Sequence, residues 1–195
     1  MAARPPSRSP CPIARSLDAV GHGWSMLILR DAFYGLTRFD EFQKSLGIAP
    51  NMLARRLGEL VEWGLLARRP YCHRPLRHEY VLTDRGRDFW PVLVALLQWG
   101  NEHLAPEGAS VVLLDRATGK PARALLIDAH TGKPVTARDH SMGAGPKAGE
   151  LVRRRAAFAA AKHENPSLRP EFLAAEQAAR AALRRRSERE STRGP

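Results

Sequence analysis

Residues 37–64 contain a pair of short amphipathic segments divided by a glycine. The first segment ends at Gly47 and carries apolar side chains at helical spacing, namely Phe39, Phe42 and Leu46. The second begins at Pro50, which suits the first turn of a helix, and ends at Gly64; its apolar face is Leu53, Leu57, Leu60 and Val61. Two short helices joined by a tight turn predict a helix-turn-helix.

Helix signals also precede this pair. Thr37 is expected to cap its first helix, with Asp40 three residues later as in a capping box. Upstream, Pro12 follows Cys11 at a predicted helix start, and an apolar stripe ends at Gly21; its members are Ile13, Leu17 and Val20. A largely buried second helix is expected to follow and to end at Gly35.

A basic β-hairpin, or wing, is predicted directly after the helix pair. Strand-like runs at residues 66–71 and 78–82 flank a proline-containing loop at residues 72–77. Thr83 is then expected to cap a last helix, which Pro91 should kink; its apolar residues are Phe89, Val92, Leu93, Leu96 and Leu97. That helix has more apolar surface than a small core needs, so we expect part of it to face a second subunit.

Sequence composition divides the chain into four predicted segments. Residues 1–10 are predicted to be a flexible arm, and residues 11–104 a winged helix-turn-helix domain for DNA binding and dimerisation. Residues 105–146 contain a repeat, because Asp115 with Thr-Gly-Lys-Pro recurs at Asp128, which predicts a small β-hairpin appendage. Residues 147–195 form a basic tail rich in Ala and Arg, expected to be helical or disordered. The predicted fold class is therefore mainly α with a small β-hairpin wing.

The charge of the chain needs to be located before it is interpreted. The net charge of +11 is compatible with a nucleic-acid partner. Residues 1–104, however, hold fourteen Lys and Arg against ten Asp and Glu, which leaves +7 for residues 105–195. Total charge therefore does not identify a binding surface, and the positions of particular arginines must do so.

Other function classes find little support in the sequence. Cys11 and Cys72 belong to no cysteine–histidine set with zinc spacing, so neither a metal site nor a cofactor is expected. The seven histidines lie in no recognisable catalytic motif, and an enzyme is not predicted. No apolar run is long enough to cross a bilayer, and no signal peptide is recognised, so we expect no membrane association and a cytoplasmic location.

The outward face of the second helix is the predicted base-contacting surface. If Leu53 marks the centre of the buried face, Asn51 and Arg55 point outward, while Met52 and Arg56 lie at the flanks. Asparagine suits adenine and arginine suits guanine in the major groove. The alternative is that these residues form an ordinary solvated helix face. The predicted helix before them and the hairpin after them favour the interpretation that they contact DNA.

Three further arginines are predicted to contact the DNA backbone. Arg74 and Arg77 lie in the basic wing loop, which could meet phosphates or a narrow minor groove. Arg38 precedes the first helix of the pair and could bind a phosphate together with that helix's unpaired amides. An ordinary charged hairpin is the alternative for the wing.

The chain resembles the HxlR family of winged-helix regulators over about residues 11–104. The resemblance rests on strings in consistent order, among them Cys11-Pro12-Ile13-Ala14, Leu27-Ile28-Leu29-Arg30-Asp31, Arg38-Phe39, Arg56-Leu57, Glu59-Leu60, Glu79-Tyr80 and Trp99-Gly100. It implies a dimeric regulator of the broader MarR-like type. Some members sense oxidants or electrophiles through a cysteine before the first helix, where Cys11 stands. The chain departs from the family pattern at residues 72–74 and at Ala49.

The sequence thus predicts a homodimeric, sequence-specific transcriptional regulator that binds double-stranded DNA and responds to an oxidant or electrophile through Cys11. Two alternatives stay open. A small molecule bound at the dimer interface could control the regulator instead. The winged helix could also serve protein–protein assembly, with the basic tail giving nonspecific affinity for nucleic acid.

Overall fold

The computed structural model describes residues 9–168 and residue 170. It is mainly helical with one two-stranded antiparallel sheet, as the sequence predicts. In chain order the elements are α1 (Pro12–Val20), α2 (Gly23–Phe33), α3 (Phe39–Leu46), α4 (Pro50–Glu62), β1 (Leu66–His73), β2 (Leu76–Leu82), α5 (Asp84–Arg87), α6 (Trp90–His103) and α7 (Glu150–Glu164). Most of the predicted arm, and the helical potential predicted beyond residue 170, lie outside the described residues.

The helix-turn-helix is formed by α3 and α4. Gly47 ends α3 with a φ of 61°, a left-handed conformation that glycine adopts without strain, and its amide donates to the Gln43 carbonyl at 3.0 Å. Pro50 occupies the first turn of α4, where its missing amide hydrogen breaks no helical bond. The predicted inner face of α4 is confirmed, since its three leucines are fully buried: Leu53, Leu57 and Leu60.

The capping of α3 differs from the prediction. Arg38, rather than Thr37, is the N-cap residue, which makes Glu41 the third residue of the helix. One Glu41 carboxylate oxygen accepts from the backbone amides of Thr37 at 2.9 Å and Arg38 at 2.8 Å. The longer glutamate side chain reaches back to both amides, and Asp40 takes no part in this contact. The Thr37 carbonyl instead accepts from the Tyr80 amide at 2.7 Å, which ties this segment to β2.

The wing is a longer hairpin than the sequence predicts. β1 and β2 pair from Leu66 with Leu82 to His73 with Leu76, so the turn is confined to Arg74 and Pro75. Most of the predicted loop at residues 72–77 therefore belongs to the strands. The ladder is irregular next to Pro70, which has no amide hydrogen to donate, and it resumes beyond that point.

The segment after the wing forms two helices instead of one kinked helix. Pro91 lies in the first turn of α6, where the absent amide hydrogen is tolerated, and α5 ends before it. The predicted Thr83 cap is confirmed, because its hydroxyl accepts from the Gly86 amide at 3.0 Å. The same hydroxyl donates to the Gly64 carbonyl at 2.6 Å and so joins α5 to the end of α4.

The hydrophobic core lies where α2, α3, α4 and β1 meet. Its fully enclosed residues are Ile28, Leu29, Phe42, Leu53, Leu57, Leu60 and Leu66. Burial of several such side chains, each worth roughly 1.5–3 kcal/mol, is the main source of stability for a domain of this size. The helix pair and the base of the wing therefore share one hydrophobic core.

The chain divides into two compact units, the first ending at Leu125 and the second beginning at Leu126. This division falls between the two copies of the repeat, whereas the sequence assigned both copies to one appendage. Each copy forms a small turn closed by one bridge, Leu114 to Pro121 in the first unit and Ile127 to Pro134 in the second.

The first copy of the repeat is fastened to α6 within its own unit. The Gln98 side-chain amide donates to the Ala124 carbonyl at 3.0 Å and accepts from the Ala124 amide at 2.8 Å. Asn101 donates to the Val111 carbonyl at 2.8 Å. These contacts attach the segment at both of its ends.

Candidate nucleic-acid interface

The outward face of α4 is available to solvent. Asn51 and Arg55 are exposed, and the Arg55 side chain retains 64% of its accessible surface. Met52 is half-buried and packs against the core with part of its side chain. Because the leucines of α4 hold the opposite face in the core, the orientation of Asn51 and Arg55 is fixed by the helix itself.

Arg56 occupies a different environment from its neighbour. It is buried, with 11% of its side chain exposed, and its Nη1 donates to Glu59 at 2.6 Å. Arg56 lies three residues after Leu53 and four before Leu60, and this spacing turns its side chain toward the core. Its Nε has no hydrogen-bond partner among the described residues. Arg56 was expected at the flank of α4, but its side chain lies in the interior.

Glu59 joins the two adjacent arginines of α4. Its Oε1 lies 3.1 Å from the Nε of Arg55, and its Oε2 lies 2.6 Å from the Nη1 of Arg56. Burial alone would raise the pKa of Glu59, but hydrogen bonds from Arg55 and Arg56 outweigh this and lower it. Glu59 was not predicted from the sequence as a functional residue, although it lies four residues after Arg55 and three after Arg56, spacings at which side chains on a helix meet.

The wing presents a basic surface. Its exposed residues include Arg74 at the turn and Arg77 in β2, together with Arg68 and Arg69 in β1. Arg68 Nη2 lies 3.0 Å from His78 Nδ1 across the two strands. Arg74 and Arg77 are thus both accessible, Arg74 in the turn of the hairpin and Arg77 close to it in β2.

Arg38 connects the start of α3 with the wing. Its guanidinium lies over the ring of Tyr71 in β1, with 4.6 Å between the guanidinium carbon and the ring centroid. A single β-bridge also joins Arg38 to Glu79 of β2. Backbone hydrogen bonds from Arg38 and Thr37 lower the pKa of Glu41, so this carboxylate stays charged beside Arg38. The stacking partner Tyr71 was not predicted from the sequence.

Cys11 is the N-cap residue of α1, as its place before Pro12 predicts. It is half-buried, its amide donates to the Ser9 hydroxyl at 3.3 Å, and its carbonyl accepts from the Arg15 amide at 3.1 Å. Cys72 lies in β1, and its sulfur is 3.6 Å from the Arg74 carbonyl. Neither cysteine forms a disulfide.

Large apolar side chains are exposed on two helices of the first unit. On α1, two residues of the predicted apolar stripe, Ile13 and Leu17, are each 55% exposed. On α6 the exposed apolar residues are Trp90, Val92, Leu96 and Trp99. Exposed apolar surface on adjacent turns of a helix is typical of a subunit interface.

Within the described residues, no three metal-binding side chains come together in a way that could hold an ion. The same residues include no helix of the length and apolar character needed to cross a membrane.

Comparison with known proteins identifies the family. The model of the HxlR-like helix-turn-helix family matches residues 19–108. The chain is 44% identical over 135 residues to Rv3095 of Mycobacterium tuberculosis (strain H37Rv), an uncharacterized HTH-type transcriptional regulator, covering 69% of this chain and 85% of that protein. It is 37% identical over 105 residues to the HTH-type regulator sll1512 of Synechocystis, covering 53% and 78% of the two chains.

Two solved structures are similar over a longer stretch. PA1607, described as a proposed transcription factor, is 49% identical with a TM-score of 0.64, covering 70% of this chain and 96% of that one. PA1374 from Pseudomonas aeruginosa is 54% identical with a TM-score of 0.56, covering 74% and 99%. All four of these relatives are named as transcriptional regulators or transcription factors. The chain belongs to the HxlR-like helix-turn-helix family and is a transcriptional regulator with a helix-turn-helix domain.

Proposed function

We propose that this regulator binds specific double-stranded DNA sequences as a homodimer. The observation that supports this most is the exposure of Asn51 and Arg55 on the outer face of α4, opposite three fully buried leucines. A helix held in this way can enter a major groove without moving relative to the domain. The basic wing and Arg38 then flank the helix in the same unit.

Base recognition is assigned to the first two turns of α4. Asn51 can donate to and accept from the edge of adenine, and Arg55 can donate twice to guanine. The exposed part of Met52 suits an apolar contact with a thymine methyl group. The buried Arg56 is withdrawn from this set, because the guanidinium would have to leave its ion pair with Glu59 and the core to reach a base.

Backbone contacts are assigned to Arg38, Arg74 and Arg77. All three are exposed. Stacking on Tyr71 restricts Arg38 to a narrow range of positions near the amino terminus of α3, where a phosphate is also favoured by the helix. Arg74 and Arg77 lie at the tip of the wing, which in this arrangement meets the DNA backbone beside the recognition helix.

The homodimer is proposed to form through the exposed apolar surfaces of α1 and α6. Ile13 and Leu17 on α1, with Leu96 and Trp99 on α6, would lose their contact with water in such an interface. We expect the full chain to sediment as a dimer at micromolar concentration, and the Leu96→Glu variant to sediment as a monomer. A monomeric wild-type chain at high micromolar concentration would contradict the dimer.

Two effectors are compatible with this arrangement. Cys11 occupies the N-cap position of α1, so oxidation of its thiol could disturb a helix of the proposed interface and change the spacing of two recognition helices. A cleft of about 420 Å³ supports the alternative, a small molecule; it is lined by α1, the end of α4 and the segment from Arg85 to Phe89. Measuring DNA affinity against oxidant concentration in wild type and in Cys11→Ser separates the two candidates. Only control through Cys11 predicts that oxidant changes the affinity of wild type and not that of the variant.

The decisive test of DNA recognition is selection by the full chain from a pool of random duplexes. We expect one sequence pattern with approximate two-fold symmetry to be enriched, since two recognition helices in a dimer contact two half-sites. The matched variant Asn51→Ala/Arg55→Ala keeps the wing and tail and should enrich no pattern. If the wild-type chain enriches none either, the winged helix serves another purpose, such as protein–protein assembly, and affinity for DNA is nonspecific.

A further inference from the structure

We propose that Glu59 is a positioning residue that holds Arg55 for one guanine and so sets base preference more than affinity. This inference rests on the proposed function, because it takes Arg55 as a base-contacting residue. What it adds is a specificity determinant that touches no base itself. The basis is the chain of three charged groups that runs from the surface of α4 to its interior.

The three groups are graded in burial along one side of α4. The exposed fractions of the side chains are 64% for Arg55, 26% for Glu59 and 11% for Arg56. Each Glu59 carboxylate oxygen contacts one arginine, Oε1 with the Nε of Arg55 and Oε2 with the Nη1 of Arg56. The carboxylate therefore bridges an exposed cation and a buried one.

The buried arginine, Arg56, is what orders the exposed arginine, Arg55. An isolated surface ion pair between long side chains is loose, because both partners keep many rotamers. Arg56 is held within the domain, and its 2.6 Å bond to Glu59 fixes the carboxylate from the inner side. Arg55 thus meets an acceptor whose position is already set, and its guanidinium loses freedom at little further entropic cost.

The contact leaves the useful edge of Arg55 available. Glu59 binds Nε, whereas the two terminal nitrogens of the guanidinium can donate together to O6 and N7 of guanine. Adenine presents an amino donor in place of O6 and would face one of these donors. The Glu59 charge also opposes a phosphate in the same place, so Arg55 is discouraged from a contact that any sequence could supply.

The experiment uses the full chain and a duplex selected by wild type, with a second duplex in which one base pair is changed. That base pair is the one whose preference is lost in Arg55→Ala. We expect Glu59→Gln to reduce the affinity ratio of the two duplexes about 5- to 30-fold. Glu62→Gln is the matched control: it removes the same charge from an exposed position on the same helix and should change the ratio less than about twofold.

Two further variants distinguish positioning from charge and from folding. Glu59→Asp keeps the charge but shortens the side chain, so it should also lower the ratio. Arg55→Lys keeps the cation but has a single terminal nitrogen, and it should lose the guanine preference as Glu59→Gln does. Thermal unfolding of each variant establishes that the compared proteins are folded at the temperature of the binding assay.

A double-mutant cycle gives the sharpest outcome. Once Arg55 is alanine, Glu59→Gln should no longer change the affinity for the selected duplex, because there is no guanidinium left to position. The inference is overturned if Glu59→Gln and Glu59→Asp keep the wild-type preference, or if Glu59→Gln lowers the affinity for the selected duplex as much in the Arg55→Ala background as in the wild type. In both cases the wild type still selects a sequence and the proposed function stands. Absence of any selection by wild type contradicts the proposed function itself.

Discussion

The two units of this protein have similar positive charge but differ in how that charge is held. Residues 1–125 contain seventeen Lys and Arg against twelve Asp and Glu, and residues 126–195 contain fourteen against eight. In the first unit, buried apolar residues between Val20 and Val94 hold α4 and the base of the wing, the elements that carry its exposed arginines. In the described part of the second unit, α7 buries no residue. Charge attracts any polyanion, whereas selectivity requires side chains held by a core.

The proposed DNA binding is therefore expected to have two contributions. The first unit should supply sequence preference, because α4 and the wing, which carry its arginines, pack on a core. The second is expected to supply salt-dependent attraction to DNA of any sequence, because its cations on α7 lie on an exposed helix; they include Arg153 and Arg154.

The largest difference should be in stability. Leu57→Ala removes a fully buried side chain from α4, and we expect it to lower the free energy of unfolding by about 2–5 kcal/mol. Phe158→Ala on α7 removes a larger side chain that is only half-buried, and its effect should be about 1 kcal/mol or less. Urea denaturation of both variants measures the difference. Equal effects would show that the second unit has a comparable core.

The next effect concerns selectivity within the first unit. Arg55→Ala should weaken binding to the selected duplex by about 1–3 kcal/mol and relax preference at one base pair. Arg74→Ala, in the wing, should weaken binding to all duplexes similarly and lower the salt slope by about 1. Affinities at several salt concentrations measure both quantities. If both variants keep wild-type affinity and selectivity, α4 and the wing do not contact DNA as proposed.

What the sequence predicts well in this chain is set by local rules. Pro50 in a first helical turn, Gly47 in a left-handed conformation and the Thr83 cap each depend on residues a few positions away, so their structures follow from the sequence. The buried leucines of α4 follow from their periodicity in the same way. The helix-turn-helix and the outward direction of Asn51 and Arg55 could therefore be predicted.

The features that were missed depend on partners distant in sequence or on small differences in angle. Tyr71 stacks on Arg38 only because the wing folds back onto the start of α3, and no local pattern indicates that contact. Arg56 lies on the border of the helical face, where a modest rotation separates an exposed arginine from a buried one. The length of the wing depended on whether pairing resumes after Pro70, which is a property of both strands together.

Removing positive charge from the second unit should weaken the salt dependence of DNA affinity without any loss of selectivity. Arg153→Gln/Arg154→Gln removes two exposed charges from α7. If both contact phosphates, the slope of log affinity against log salt should fall by about 0.9 for each. The affinity ratio of selected and random duplexes should stay unchanged. A change in that ratio would mean that the second unit also contributes to sequence recognition.

The smallest effect is expected for the pKa of the aspartate in each copy of the repeat, one copy in each unit. A hydrogen bond from the Thr118 hydroxyl lowers the pKa of Asp115, and one from Thr131 lowers the pKa of Asp128. Because the pKa is lowered in the folded turn, each carboxylate stabilises its turn above the ordinary pKa of about 3.9. That contribution is lost as the pH falls through the lowered value. Carboxyl carbon shifts followed by NMR against pH should show both aspartates titrating below that ordinary value.

The two copies should differ, however, in how often they open. In each, a glycine amide donates to the aspartate carbonyl at 2.8 Å, Gly119 in the first and Gly132 in the second. The first copy is also held to α6 by Gln98, so opening it requires the loss of additional hydrogen bonds. Hydrogen exchange at neutral pH should therefore be slower at Gly119, and Gln98→Ala should bring it toward the rate of Gly132. Equal rates in the wild type would mean that attachment to a unit with a core does not stabilise the turn.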